Sequence, residues 1–220
     1  MTTSISSRQL RAAALLFDMD GTLVDSTALV ESTWASFSER HGVSVAEVLE
    51  FAHGRPTRAT VAHFVADPEL AAAETQRLIA HEESETTGIT EIPGARALLT
   101  SLPRGSWAVV TSAGRKLTEV RMAAAGLPLP EIIVSADEVE RGKPDPEGYL
   151  RAAALLGVQP SDTIVFEDSG AGTRAGIASG ARTVVIGSLD EFDGVADRYA
   201  DLRAFRVDTE ATDGVVLHAW

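Results

Sequence analysis

Residues 12–26 read A-A-A-L-L-F-D-M-D-G-T-L-V-D-S, and the fold is decided by how this stretch is read. The run from Ala12 to Phe17 contains no polar side chain, the pattern of a strand buried on both faces of a parallel sheet. It stops at Asp18 and Asp20, followed by Gly21 and Thr22. Two carboxylates one residue apart at the end of a buried strand raise one another's pKa unless a cation lies between them. Gly21 allows a sharp turn into the helix that follows. The competing reading is a turn whose aspartates merely cap that helix, and the remainder of the chain weighs against it.

The chain has 220 residues, 23% charged and 45% apolar, enough for one domain with an insertion and a sizeable core. A formal net charge of -13 disfavours a nucleic-acid backbone or an anionic membrane as partner. It also makes local basic groups informative, because an anionic ligand must find them against an unfavourable mean field. There is no cysteine, hence no disulfide, thiolate nucleophile or cysteine metal site. Residues 8–17 hint at a signal peptide, but the apolar run is short and ends in aspartates rather than a cleavage site. No stretch has the length of a membrane-spanning helix. A cytoplasmic protein is expected.

Residues 1–9 are polar and expected to be frayed. Leu23 to Arg40 carries Leu29, Val30, Trp34 and Phe37 at helical spacing and stops at His41-Gly42. Helices are expected near 45–52, 57–66 and 68–85, the last announced by Asp67 as cap and Pro68 at the first helical position. No strand is expected among them, so this block reads as an inserted lid. From Pro93 onward helices and strands alternate. Strands are expected at 107–110, 132–134, 163–166 and 182–186, with helices at 95–102, 116–125, 146–156 and 172–179. Such alternation predicts a parallel sheet covered by helices on both faces. The tail, 204–207 and 215–218 around Asp213-Gly214, predicts a terminal hairpin on that sheet.

In an open parallel sheet, ligands gather beyond the C-terminal strand ends. Here those ends carry Asp18 and Asp20, Thr111 and Ser112, and Glu167 and Asp168. Oxygen-only donors favour Mg²⁺ over zinc or copper. Lys143, between Gly142 and Pro144, is the cation available to neutralise a negatively charged reacting group. A second basic feature is the loop F-A-H-G-R-P-T-R-A-T, residues 51–60, which packs His53, Arg55 and Arg58 around Gly54 in an acidic chain. The plain alternative for that loop is a solvated turn, with Arg58 on the next helix and paired to a carboxylate. His63, His81 and His218 lack partners at ligand spacing, and Trp34, Phe37 and Phe64 fit a helical core. Glu82 to Glu85 reads as a solvated helix end. The stretch G-A-G-T-R-A-G at 170–176 lacks the dinucleotide-binding spacing and suits close approach of a helix to the acidic pair.

Taken in order, F-D-M-D-G-T-L-V-D-S, V-V-T-S, R-G-K-P-D-P-E-G-Y and V-F-E-D-S-G-A-G resemble the four motifs of the haloacid dehalogenase-like (HAD) phosphotransferases. The resemblance covers nearly the whole chain and implies an α/β, Rossmann-like parallel-sheet core at 1–27 and 91–220. An all-helical cap would be inserted at 28–90. It implies Asp18 as nucleophile, Asp20 as general acid and then base, and Thr111 as a hydroxyl donor to the phosphoryl group. The Ser112 and Ala113 amides would assist, and Lys143 would bridge nucleophile and phosphoryl oxygens. Mg²⁺ would be held by Asp18, the Asp20 carbonyl, Asp168, and Glu167 directly or through water. The H-G loop, R-H-G at 40–42 and I-P-G-A at 92–95 are similar to those of small sugar- and polyol-phosphate phosphatases. His53, Gly54, Arg55 and Arg58 are then the candidate specificity loop, and a small phosphorylated sugar or polyol the expected partner of a monomeric enzyme.

Two alternatives share part of this pattern. β-Phosphoglucomutase has the same fold and motifs but a cap-hinge histidine twelve residues after its nucleophile, where this chain has Val30. A phospho-accepting signalling module combines an acidic cluster with Thr/Ser and Lys, but needs neither the helical insertion nor an acid two positions after the nucleophile.

Overall fold

The computed structural model describes residues 8–211 and 214–220. Residues 1–7 and Asp213 of the expected tail turn lie outside them. The strands, in chain order, are β1 (Arg8–Ala12), β2 (Ala14–Phe17), β3 (Val24–Asp25), β4 (Thr90–Glu91), β5 (Trp107–Val110) and β6 (Ile132–Val134). They continue with β7 (Thr163–Glu167), β8 (Arg182–Ile186), β9 (Asp197–Tyr199), β10 (Phe205–Val207) and β11 (Val215–Ala219). The α-helices are α1 (Thr27–His41), α2 (Val45–Ala52), α3 (Thr57–Phe64), α4 (Pro68–Ser84), α5 (Ala95–Ser101), α6 (Arg115–Ala124), α7 (Glu147–Leu156) and α8 (Gly170–Ala178).

Six strands form one parallel sheet in the order β6-β5-β2-β7-β8-β9. The chain winds outward from β2 through β5 to β6, then returns to the other side of β2 and winds outward again from β7. The reversal lies between β2 and β7, and a crevice opens beyond their C-terminal ends. Burial on both faces explains why Ala14–Phe17 of β2 and Ile164–Phe166 of β7 are all apolar. Leu15, Phe17, Ile164 and Phe166 face one apolar core, while Leu16 and Val165 face the other with Tyr149 and Ala175. The Phe17 and Phe166 rings stack with centroids 4.8 Å apart. Truncating either to alanine would cost about 3–5 kcal/mol, the usual value for a buried aromatic.

Helices α1 to α4 surround an apolar core of their own, with Trp34, Phe37, Val48, Val61, Val65 and Leu78 buried and Phe64 packed against them. Asp67 caps α4 as expected, its Oδ1 accepting from the Glu69 and Leu70 amides at 2.9 Å. The two chain crossings between this block and the sheet domain run side by side. There β3 pairs antiparallel with β4, and the Ile92 amide donates to the Leu23 carbonyl at 2.8 Å. This pairing delays the first helix to Thr27 rather than Leu23.

Three other features depart from the sequence reading. The expected single strand at 12–17 begins only at Ala14, and the residues before it form a separate strand, β1. Leu10 of β1 is buried between exposed Arg8, Gln9 and Arg11, and β1 pairs antiparallel with β11. The terminal hairpin exists, but β10 and β11 join β1 in a three-stranded sheet instead of extending the parallel one. The outer edge of the parallel sheet is supplied by β9, three residues with no distinguishing pattern. Among the described residues, no helix is long and apolar enough to cross a membrane.

Candidate active site

Beyond the ends of β2 and β7, Asp18, Glu167 and Asp168 each present a carboxylate oxygen within 4.8 Å of the others. Parallel pairing of Phe17 with Phe166 fixes this, because it sets the two acidic strand ends at the same height. Gly21 has φ +85°, and a Cβ there would overlap the Asp168 carboxylate, so the turn after β2 can close over the cluster only with glycine. Gly172 serves the other side: a Cβ at that position of α8 would overlap Glu167. The glycine-rich stretch at 170–176 thus lets α8 approach the acidic pair, as its sequence suggested.

Lys143, from the loop before α7, reaches into the cluster. Its ammonium pairs with Asp18 Oδ1 and lies 2.6 Å from Glu167 Oε1. Burial works against the charge on Lys143, but the two carboxylates outweigh it and hold the ammonium protonated well above its ordinary range. Glu167, fully buried, is otherwise satisfied. Tyr149 donates to Oε1 at 2.8 Å, and Oε2 accepts from the Asp168 amide, the Ser169 amide and the Ser169 hydroxyl. Burial raises the Asp18 carboxyl well above the carboxylate range, with Glu167 and Asp168 adding to the rise and Lys143 opposing it. A divalent cation among three hard oxygen donors would remove that conflict, so the residues present suit one.

The other sequence candidates fall into two sets. Thr111 and Ser112 follow β5 beside the cluster. The Thr111 hydroxyl accepts from the Ala113 amide at 3.1 Å, and the Ser112 hydroxyl donates to the Gly54 carbonyl at 2.8 Å. His53, in the loop after α2, sits with Nε2 3.0 Å from Asp168 Oδ2, and this contact raises its pKa. The basic loop therefore rests on the acidic cluster. Arg55 borders the intervening cavity, with its guanidinium 4.2 Å above the Phe51 ring and bonded to the Phe51 carbonyl. Arg58 is exposed on α3 and is not among the residues bordering the cavity.

That cavity, about 350 Å³, lies between the helical block and the strand ends. Asp18, Asp20 and Thr111 form its floor, and Val30, Trp34, Leu49 and Leu117 supply apolar walls. The volume is within the range of small-metabolite sites.

Three further residues of the cavity were not foreseen. Arg121 of α6, its side chain 4% exposed, donates to Asp20 Oδ2 and to Glu82 Oε1, each at 2.7 Å. Ser26 donates to the other Asp20 oxygen, also at 2.7 Å. Glu82 is correspondingly buried rather than a solvated helix end, and burial raises its pKa despite Arg121. The signal was present in spacing: Glu82 follows Leu78 by one helical turn, and Arg121 follows Leu117 and Thr118 likewise.

A parallel-sheet α/β core with an acidic strand-end cluster and an inserted block of helices is the class of protein that fold and site define. The chain belongs to the haloacid dehalogenase-like hydrolases, whose family model matches residues 15–186. It is 44% identical over 181 residues to hexitol phosphatase A of Escherichia coli, covering 80% of this chain and 84% of that one. It is 34% identical to 2-deoxyglucose-6-phosphate phosphatase 2 of Saccharomyces cerevisiae, covering 92% and 93%. Among solved structures, β-phosphoglucomutase of Clostridium difficile superposes with a TM-score of 0.77 over 87% of this chain and 92% of that one. At 19% identity, that likeness concerns the fold.

Proposed function

We propose that the protein is a Mg²⁺-dependent phosphatase that hydrolyses a small phosphorylated sugar or polyol through an aspartyl-phosphate. The observation that carries this reading is the pairing of Lys143 with Asp18 beside Glu167 and Asp168, under a cavity lined by both charged and apolar groups. The names of the hexitol and 2-deoxyglucose-6-phosphate phosphatases support the substrate class.

In this mechanism Asp18 attacks phosphorus while the bond to the leaving oxygen breaks, and Asp20 supplies the proton that leaves with the alcohol. Water then attacks the aspartyl-phosphate, its proton passes to Asp20, and Asp18 is released with inorganic phosphate. Lys143 keeps its positive charge throughout and reduces repulsion between the nucleophile and the incoming dianion. Thr111, with the Ser112 and Ala113 amides, would hold the phosphoryl oxygens. Mg²⁺, held by Asp18, Asp168, the Asp20 carbonyl and Glu167 directly or through water, would supply Lewis-acid stabilisation of the phosphoryl charge. Residues 28–90 act as a cap that excludes solvent, with His53, Gly54 and Arg55 at its edge.

Val30 at the cavity wall, where a mutase would carry histidine, favours water over a second sugar as acceptor. Phosphate release from hexitol phosphates, 2-deoxyglucose 6-phosphate and glycerol phosphates with Mg²⁺ tests the assignment. Multiple turnovers with one of these esters preferred in kcat/KM support it. A single stoichiometric phosphorylation, or conversion to an isomeric phosphate without phosphate release, would overturn it.

A further inference from the structure

Arg121 belongs to the sheet domain, yet it grips two elements at once. Its Nη1 donates to Asp20 at the end of β2, and its Nη2 donates to Glu82 on cap helix α4. The cap helix is also tied to α6 at its surface, where Lys116 Nζ lies 2.6 Å from Glu83. Asp20 thus has one oxygen on a guanidinium and the other on the Ser26 hydroxyl. These two partners differ in kind. A hydroxyl rotates and can donate or accept, so it yields easily to an arriving leaving-group oxygen, whereas a planar guanidinium clamped at both ends does not.

We infer that Arg121 is a positioning residue: it aims the Asp20 carboxyl at the leaving oxygen, and its bond to Glu82 makes that aim depend on the docked cap. This rests on the phosphatase reading above, in which Asp20 moves the proton. Arg121 touches neither phosphorus nor the leaving group in this scheme. Its effect therefore follows the need for protonation. An alkyl phosphate needs a proton on its departing oxygen, whereas p-nitrophenolate leaves without one.

The test compares kcat/KM for sorbitol 6-phosphate and p-nitrophenyl phosphate in the full-length Mg²⁺ enzyme. This parameter covers binding through leaving-group departure and omits later hydrolysis of the aspartyl-phosphate. Arg121→Gln is expected to lower the sorbitol 6-phosphate value about 100-fold, within the range of a general-acid contribution, and the aryl value no more than about threefold. Glu82→Gln, which preserves the shape of α4, is expected to produce the same split at about tenfold, and Arg121→Lys to recover part of the loss. Because the ratio is taken within one preparation, it is insensitive to the fraction of variant that folds. Equal losses on the two esters overturn the positioning role, and a Glu82→Gln enzyme with an unchanged ratio overturns the dependence on the cap. Wild-type failure to release phosphate from either ester overturns the phosphatase reading itself, and this inference with it.

Discussion

The Lys143 ammonium lies 2.6 Å from Glu167 Oε1 while also pairing with Asp18, so one cation serves two buried carboxylates from different strands. Its position explains how β2 and β7 can both end in acid at a single crevice without driving the fold apart. The arrangement is costly to break from one side only, since the abandoned charges stay buried.

Lys143→Met keeps much of the side-chain volume and removes the charge. Chemical denaturation in EDTA is expected to show a loss of about 3–5 kcal/mol, the usual effect of orphaning a buried pair. Adding Mg²⁺ is expected to recover part of it, because a bound cation replaces the missing charge. A loss that Mg²⁺ leaves untouched would speak against a cation site at this cluster.

Asp18→Asn is expected to abolish phosphate release while leaving thermal stability near the wild-type value. Burial, Glu167 and Asp168 all oppose the Asp18 charge, and Lys143 retains Glu167 as a partner in the variant. Measurable steady-state turnover in a preparation free of deamidated protein would exclude a covalent role for this residue.

The two loop arginines are expected to separate. Arg55 borders the cavity and Arg58 does not. With a hexitol phosphate, Arg55→Ala is expected to raise KM about tenfold, the worth of one charged hydrogen bond near 1.5 kcal/mol. Arg58→Ala is expected to leave KM unchanged, and equal effects would mean that loop charge rather than contact matters.

Gly172→Ala puts a methyl group into the space of the Glu167 carboxylate. A stability loss of about 1–3 kcal/mol is expected from the forced displacement, together with weaker activation by Mg²⁺. Denaturation curves and a Mg²⁺ titration of activity check both, and a variant normal in both would show that α8 can shift at no cost.

Much of this protein is legible along the chain because its chemistry sits at strand ends. A parallel strand buried on both faces is apolar through its middle, so the polar residue at its C-terminal end marks where the strand meets the crevice. Asp18, Thr111 and Glu167 announce themselves in this way, and the helical insertion shows as a long interval without strands. What the chain alone left open depends on which faces meet. The run at 12–17 contains no turn signal, and it breaks before β2 only because β11 draws β1 into a second sheet. Glu82 and Arg121 look like ordinary helix charges until α4 and α6 are packed together, when each becomes the buried counter-charge of the other. Local pattern determines which segments are strands and helices and where their polar ends fall. Pairing of charges across elements far apart in sequence is settled by packing, because burial makes an unpaired charge intolerable only once the neighbouring surface has arrived.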